Sequence, residues 1–181
     1  IFIQTLNEER NLPGVLKSVA WADDVVVLDS LSTDRTREIA EAAGCRWFER
    51  AFDGRGPHQN WAMEHIDFHH RWVFYLDADE RMTPELRAEI EAIADAWESG
   101  EKSREKGDPV AYYCGRKNYF RGRWLKHAMP PGSIMRFFQP PLIRFERLAN
   151  PVPIVDGEVG YLRGHFIHHN FSKGLREWIE R

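Results

Sequence analysis

Four short apolar runs alternate with amphipathic segments in the first half of the chain, and that alternation limits the fold more than any other feature. Residues 1–5, 24–29 (containing Val25-Val26-Val27-Leu28), 45–48 and 72–76 read as strands. Residues 12–19, 34–43 (ending at Gly44), 59–66 and a segment opened by Thr83-Pro84 and running to about residue 97 read as helices. Thr followed by Pro is a good cap and first-turn pair. Continuous apolar strands separated by helices predict an α/β fold with a mostly parallel central sheet, flanked by helices on both faces. The 181 residues, 43% of them hydrophobic, suffice for one core, so a single domain over 1–181 is expected. Residues 100–108 hold six charges in nine positions and read as a surface loop between an N-terminal half, 1–97, and a C-terminal half, 110–181.

No apolar run approaches the roughly 20 residues of a membrane-spanning helix, and no signal-peptide pattern opens the chain. Cys45 and Cys114 lie far apart, which excludes a disulfide framework or a cysteine-based zinc site. A soluble protein in a reducing, cytoplasmic setting is expected. The chain opens on Ile1 inside a strand and stops at Arg181 inside the helical spacing of Leu175, Trp178 and Ile179. Those ends predict an ordered fragment of a longer protein, truncated on both sides.

Polar residues begin where the strands end, and in open α/β sheets ligands bind outside the carboxyl ends of the strands. The first strand runs into Asn7-Glu8-Glu9-Arg10-Asn11, the second into Asp29-Ser30-Leu31-Ser32-Thr33-Asp34, and the fourth into Asp77-Ala78-Asp79-Glu80. Asp34 precedes a helix and reads as its cap. The two carboxylates of Asp77-Ala78-Asp79 can turn into one crevice, where hard oxygens suit Mg²⁺ or Mn²⁺ bridging a diphosphate; taken alone, they also fit an exposed turn. A departing nucleoside diphosphate develops negative charge that such a cation stabilises.

The net charge of −3 conceals an uneven distribution. Residues 1–115 carry 23 acidic against 13 basic side chains, whereas residues 116–147 carry 1 against 8. The basic stretch interleaves Tyr119, Phe120, Trp124, Phe137 and Phe138 with Arg121, Arg123, Lys126 and Arg136. It suits phosphates or an anionic lipid surface, or equally a solvated sheet face over an aromatic core. Nucleic acid is not an expected partner, because no reader motif accompanies the charge.

In series and spacing, Thr5-Leu6-Asn7-Glu8-Glu9, Ser18-Val19-Ala20-Trp21-Ala22-Asp23-Asp24, Asp29-Ser30-x-Ser32-Thr33-Asp34-Arg35-Thr36, Asn60-Trp61-Ala62 and Leu76-Asp77-Ala78-Asp79-Glu80-Arg81 resemble the ordered motifs of family 2 glycosyltransferases. Through Asn118-Tyr119-Phe120-Arg121-Gly122-Arg123-Trp124-Leu125-Lys126-His127, Arg144-Phe145-Glu146-Arg147, Val155-Asp156-Gly157 and Phe171-Ser172-Lys173-Gly174 the chain is similar to the bacterial branch that builds lipopolysaccharide cores and exopolysaccharides. The resemblance implies the Rossmann-like GT-A fold. It also implies an inverting, metal-dependent transfer of a sugar from a nucleotide-sugar donor, a UDP-sugar in the common case, to a saccharide or lipid-linked acceptor. The first half would bind the donor and the second the acceptor, with peripheral contact at the inner face of an anionic membrane. Thr5, Asn7, Glu9, Asp29 and Ser30 would bind the nucleotide, Asp29 through the base. Asp77 would face the ribose or the metal, Asp79 would hold the metal (Mn or Mg), Glu80 would orient neighbours, and His168 would add a metal or phosphate contact.

Three positions depart from the family pattern. Leu31 stands where the family usually has Gly, and Gln59 stands where a Lys or Arg is common, which removes one phosphate-facing charge. Asn150-Pro151 replaces a His-Glu or Asn-Glu pair, and proline accepts no proton. An inverting transfer needs a base within reach of the acceptor hydroxyl; Glu146 ranks first among Glu146, Asp156, Glu158, His165, His168 and His169, although a salt bridge also suits it. The departures also fit a catalytically impaired sugar-nucleotide-binding module. A haloacid dehalogenase-type phosphotransferase fits poorly, with Arg81 in the wrong place, and a nucleotidyltransferase would need a Gly-rich loop where Asn7-Glu8-Glu9 stands.

Overall fold

The computed structural model describes residues 1–127 and 132–174; the spacing of Leu175, Trp178 and Ile179 lies outside the described residues. The expected alternation is present: β1 (Phe2–Thr5), α1 (Leu12–Ser18), β2 (Val26–Asp29), α2 (Thr36–Ala42), β3 (Arg46–Glu49), α3 (Arg55–His65), β4 (Val73–Asp77), a two-residue β5 (Glu80–Arg81) and α4 (Pro84–Glu98). The second half is built of strands: β6 (Ala111–Phe120), β7 (Arg123–Trp124), β8 (Ser133–Phe138), β9 (Ile143–Glu146), β10 (Val152–Val155) and β11 (Val159–His168).

Nine strands form one sheet in the order β3-β2-β1-β4-β8-β6-β11-β5, with β7 on β6; β9 and β10 pair separately. Six strands, β1, β2, β3, β4, β6 and β11, point the same way, and β8 runs against them between β4 and β6. The mostly parallel sheet therefore extends well past the strands legible in the first half. β6 turns into β7 through Arg121 and Gly122, both at positive φ, the two-residue turn that matches strand twist.

Alternation along each strand divides the apolar runs between two faces. Ile3, Val27, Phe74 and Leu76 pack with Leu12 and Val15 of α1 and Leu86 and Ile90 of α4. Phe2, Val26, Leu28, Val73 and Tyr75 face the other way, onto Ala62 of α3 and Ile143 and Phe145 of β9. Thr83 caps α4 as expected, its Oγ1 accepting from Leu86 N at 3.3 Å. Glu89 on that helix accepts the N–H groups of Arg163 and Gly164 at 2.9 and 2.8 Å, where the β11 register breaks. α3 meets the β9–β10 hairpin so closely at Gly56 that a Cβ there would lie 2.2 Å from the Arg147 carbonyl oxygen.

Candidate active site

Because the parallel strands share a direction, their carboxyl ends share an edge. Register sets Thr5 beside Asp29 and Gln4 beside Asp77. β5 carries the Asp77-Ala78-Asp79 turn back onto β11, where Glu80 pairs with His168. A cleft of about 500 Å³ opens along this edge. Of the expected residues, Thr5, Ser30, Asp77, Asp79 and His168 line it.

Asn7, Glu9 and Asp29 lie behind that lining and join the loop after β1 to the loop after β2. The buried Asp29 carboxylate accepts from Thr5 Oγ1, Ser32 Oγ and Ser32 N, each at 2.6 Å. Asn7, at φ 53°, accepts from Thr33 N at 2.8 Å and donates its own N–H to Ser32 Oγ at 2.7 Å. Glu9 accepts from Arg35 N at 3.3 Å; Asp34 stands one residue before the N-cap position of α2, which is Arg35, and accepts from Thr36 N at 3.0 Å. The acidic residue of this segment that reaches the cleft is Glu8, which pairs with Lys173 at 2.8 Å and accepts from Asn11 at 2.7 Å. Burial pushes its carboxyl up, against the pull of Lys173 and Asn11.

Asp77 tops a buried charge network. Its Oδ1 accepts from the Tyr75 hydroxyl, its Oδ2 from Arg136 at 2.9 Å, and its N–H donates to Glu80 at 2.9 Å. The same Arg136 nitrogen donates to Glu80 at 2.8 Å, and the guanidinium lies 4.2 Å from the Tyr75 ring centroid. Burial alone would raise the Asp77 pKa; Arg136 and Arg55 outweigh it and hold the group well below the usual carboxylate range. For Glu80 burial wins and the carboxyl is pushed up. Arg136 is thus a correction to the reading of the basic stretch as a phosphate-facing surface: it is 2% exposed and neutralises acids beneath the cleft. Phe137 and Phe138 beside it are core.

Asp79 and His168 come together from residues 89 positions apart in sequence, with Oδ2 and Nε2 separated by 3.4 Å. Asn118 Oδ1 lies 3.0 Å from His168 Nδ1. With Nδ1–H donating there, the Nε2 lone pair faces the Asp79 carboxylate, an arrangement completed by a proton or a cation. A hard oxygen beside an oriented imidazole nitrogen is a donor pair suited to Mn²⁺ or Mg²⁺, which take their remaining ligands from phosphates and water. Among the described residues no group of three or more His, Cys, Asp or Glu gathers as a complete metal cage. Asp77, its two oxygens engaged by Tyr75 and Arg136, is less available than Asp79.

The cleft also contains Phe52, Arg55, His58, Arg116 and Asn170, which local sequence did not single out. Arg55 and His58 come from the first turn of α3, Arg116 from β6, and Phe52 and Asn170 from loops, where no motif marks them. Glu146 does not line the cleft: it is exposed on the β9–β10 hairpin and pairs with Arg144 at 3.0 Å. Asp156 pairs with Arg104 at 2.7 Å on the surface, and Glu158 is exposed. His165 and His169 lie outside the lining, and burial lowers the pKa of both. Only His168 of the candidate bases lines the cleft.

The family model described as Glycosyl transferase family 2 matches residues 1–163. An uncharacterized glycosyltransferase of Rickettsia bellii (strain RML369-C) is 39% identical over 93 residues, 51% of this chain and 31% of the relative. The lipopolysaccharide core biosynthesis glycosyltransferase LpsC of Rhizobium meliloti (strain 1021) is 33% identical over 91 residues, 48% of this chain and 33% of the relative. The matched segment thus spans about a third of these curated relatives. S. aureus TarS 1-349 superposes with a TM-score of 0.64 at 17% identity, over 93% of this chain and 59% of that one. Its complex with UDP-GlcNAc gives 0.64 at 16% identity, over 93% and 57%. Sequence motifs, sheet order and family match agree: the chain has the GT-A fold and belongs to glycosyltransferase family 2.

Proposed function

We propose that the chain is the core of an inverting glycosyltransferase that moves a sugar from a nucleoside-diphosphate donor, a UDP-sugar, to a saccharide or lipid-linked acceptor in cell-surface polysaccharide synthesis. One observation carries this reading: the Asp79–His168 pair stands beside Thr5, Ser30 and Asp77 in a single cleft at the carboxyl edge of the parallel strands. The similarity to LpsC supports the polysaccharide setting, and the UDP-GlcNAc complex of TarS supports the donor class. In this proposal Thr5, Ser30 and the loops stitched by Asn7, Glu9 and Asp29 receive the nucleoside, with Asp77 toward the ribose. Asp79 and His168 hold a divalent cation (Mn or Mg), which when bound would offset charge on the departing diphosphate. Residues 1–97 form the donor side and 110–181 the acceptor side of one domain, at the inner face of an anionic membrane.

Titration calorimetry with UDP and with uridine, each with Mn²⁺ and with a chelator, tests it. Mn²⁺ should strengthen UDP binding at least about tenfold and leave uridine unchanged, and Asp79→Asn should remove the metal effect. Equal UDP affinity in metal and chelator would sink the metal assignment. A sugar-nucleotide-binding module remains the second reading, because Glu146 and Asn150-Pro151 lie outside the cleft lining. Tight UDP-sugar binding with neither transfer nor hydrolysis would favour it.

A further inference from the structure

Gln59 raises a charge problem for a diphosphate-binding cleft. It occupies the position where a cation is common, yet in α3 it is buried at 4% exposure and does not line the cleft. Residues four apart lie on the same helix face, one turn above the other. One turn before Gln59 stands Arg55, which is exposed and does line the cleft.

Arg55 is held there by its backbone. Its N–H donates to the Leu148 carbonyl at 2.6 Å, and Gly54 and Gly56 on either side let the hairpin approach within distances that side chains would not allow. Asp77 is the largest source of favourable charge on Arg55, but its oxygens are already engaged by Tyr75 and Arg136, and no hydrogen bond or ion pair is made by the Arg55 side chain among the described residues. A second cation, Arg116 of β6, lines the same cleft with a buried Nε that has no partner. Two guanidinium groups, neither held in an ion pair among the described residues, therefore share the cleft with Asp79 and His168.

We propose that Arg55, with Arg116, receives the donor's diphosphate and replaces the cation that Gln59 does not supply, shifted one helical turn toward the N-terminus of α3. A guanidinium is suited to this, since it presents paired donors that match phosphate oxygens. The inference rests on the proposed donor class, and the test separates the two. UDP and uridine are titrated into the wild-type chain, Arg55→Gln, Arg55→Lys and Arg116→Gln, with thermal melts to verify folding. Wild type should prefer UDP over uridine; Arg55→Gln should lose about tenfold to a hundredfold in UDP affinity with uridine unchanged. Arg55→Lys should recover part of the loss, and Arg116→Gln should show a loss of the same kind. If Arg55→Gln keeps the wild-type preference, or loses UDP and uridine together, the assignment of Arg55 is overturned while the donor class stands. If wild type itself binds UDP no better than uridine, the donor class fails and this inference fails with it.

Discussion

His58 shows how a single side chain can take its protonation state from its neighbours. Its Nδ1 lies 3.2 Å from Arg50 Nη1, and because arginine can only donate, Nδ1 must accept; Nε2–H then points to Ser30 Oγ at 3.4 Å. Burial, and next Arg50, lower its pKa, against weaker pulls from Asp53 and Asp29. The unfolded chain therefore binds a proton below the ordinary histidine value that the native state refuses, so stability should fall as pH drops through about 6.5. Thermal melts between pH 7.5 and 5.5 should show this loss, and His58→Gln should reduce its slope, His165 and His169 supplying the remainder; an unchanged slope would mean His58 does not contribute. Nothing local in the sequence marks His58, since its state depends on Arg50 at the end of β3. Leu31 was legible: the chain adopts φ 66° there, a region open to Gly and costing another residue about 1–2 kcal/mol. Asp79 was legible as well, because two acids spaced around one residue after an apolar strand form a local pattern.

At the scale of elements, the Asn60 side-chain amide ties the β9–β10 hairpin to α3 beside the Arg55–Leu148 backbone bond. Asn60 Nδ2 donates to Phe145 O at 2.8 Å, and Asn60 Oδ1 accepts from Phe145 N at 2.7 Å, so the side chain behaves like a neighbouring strand. Asn60→Ala leaves both backbone groups of the buried Phe145 without these partners and should cost about 1–3 kcal/mol, read as a lower denaturation midpoint at unchanged slope. A loss below about 0.5 kcal/mol would show that water replaces the amide. The motif Asn60-Trp61-Ala62 was visible in sequence, but its partner 85 residues away was not. The same contrast holds for whole elements. Strands buried on both faces print a continuous apolar run and Thr83 announces the start of α4, so β1 to β4 and α4 could be read directly, whereas α3 begins four residues before its expected start at 59 and β5 was not expected. β6 and β11 mix buried and half-buried positions without regular alternation, β11 with exposed ones as well, and carry register breaks, which blur any period.

Over the whole molecule, charge is unevenly divided. The acid-rich first half supplies Asp77 and Asp79, while the cations that remain exposed after Arg136 is withdrawn into the core include Arg121, Arg123 and Lys126 at and beside the β6–β7 turn. None of the three lines the main cleft, and no helix among the described residues is long and apolar enough to cross a membrane. If this turn meets an anionic surface, replacing all three by Gln should weaken binding to anionic vesicles by about 1 kcal/mol per cation at low salt. The difference should shrink as ionic strength rises, with UDP affinity unaltered. Vesicle binding that survives the triple change would remove the membrane from the proposal.

The pairing of β5 with β11 has a consequence in time. Asp79 is synthesised well before His168, which arrives on the last strand described. A nascent chain thus carries the Asp77-Ala78-Asp79 turn before the His168 imidazole exists to stand beside it. Completion of the Asp79–His168 pair coincides with docking of β11 along β6, so this part of the site matures only once the sheet has closed around it.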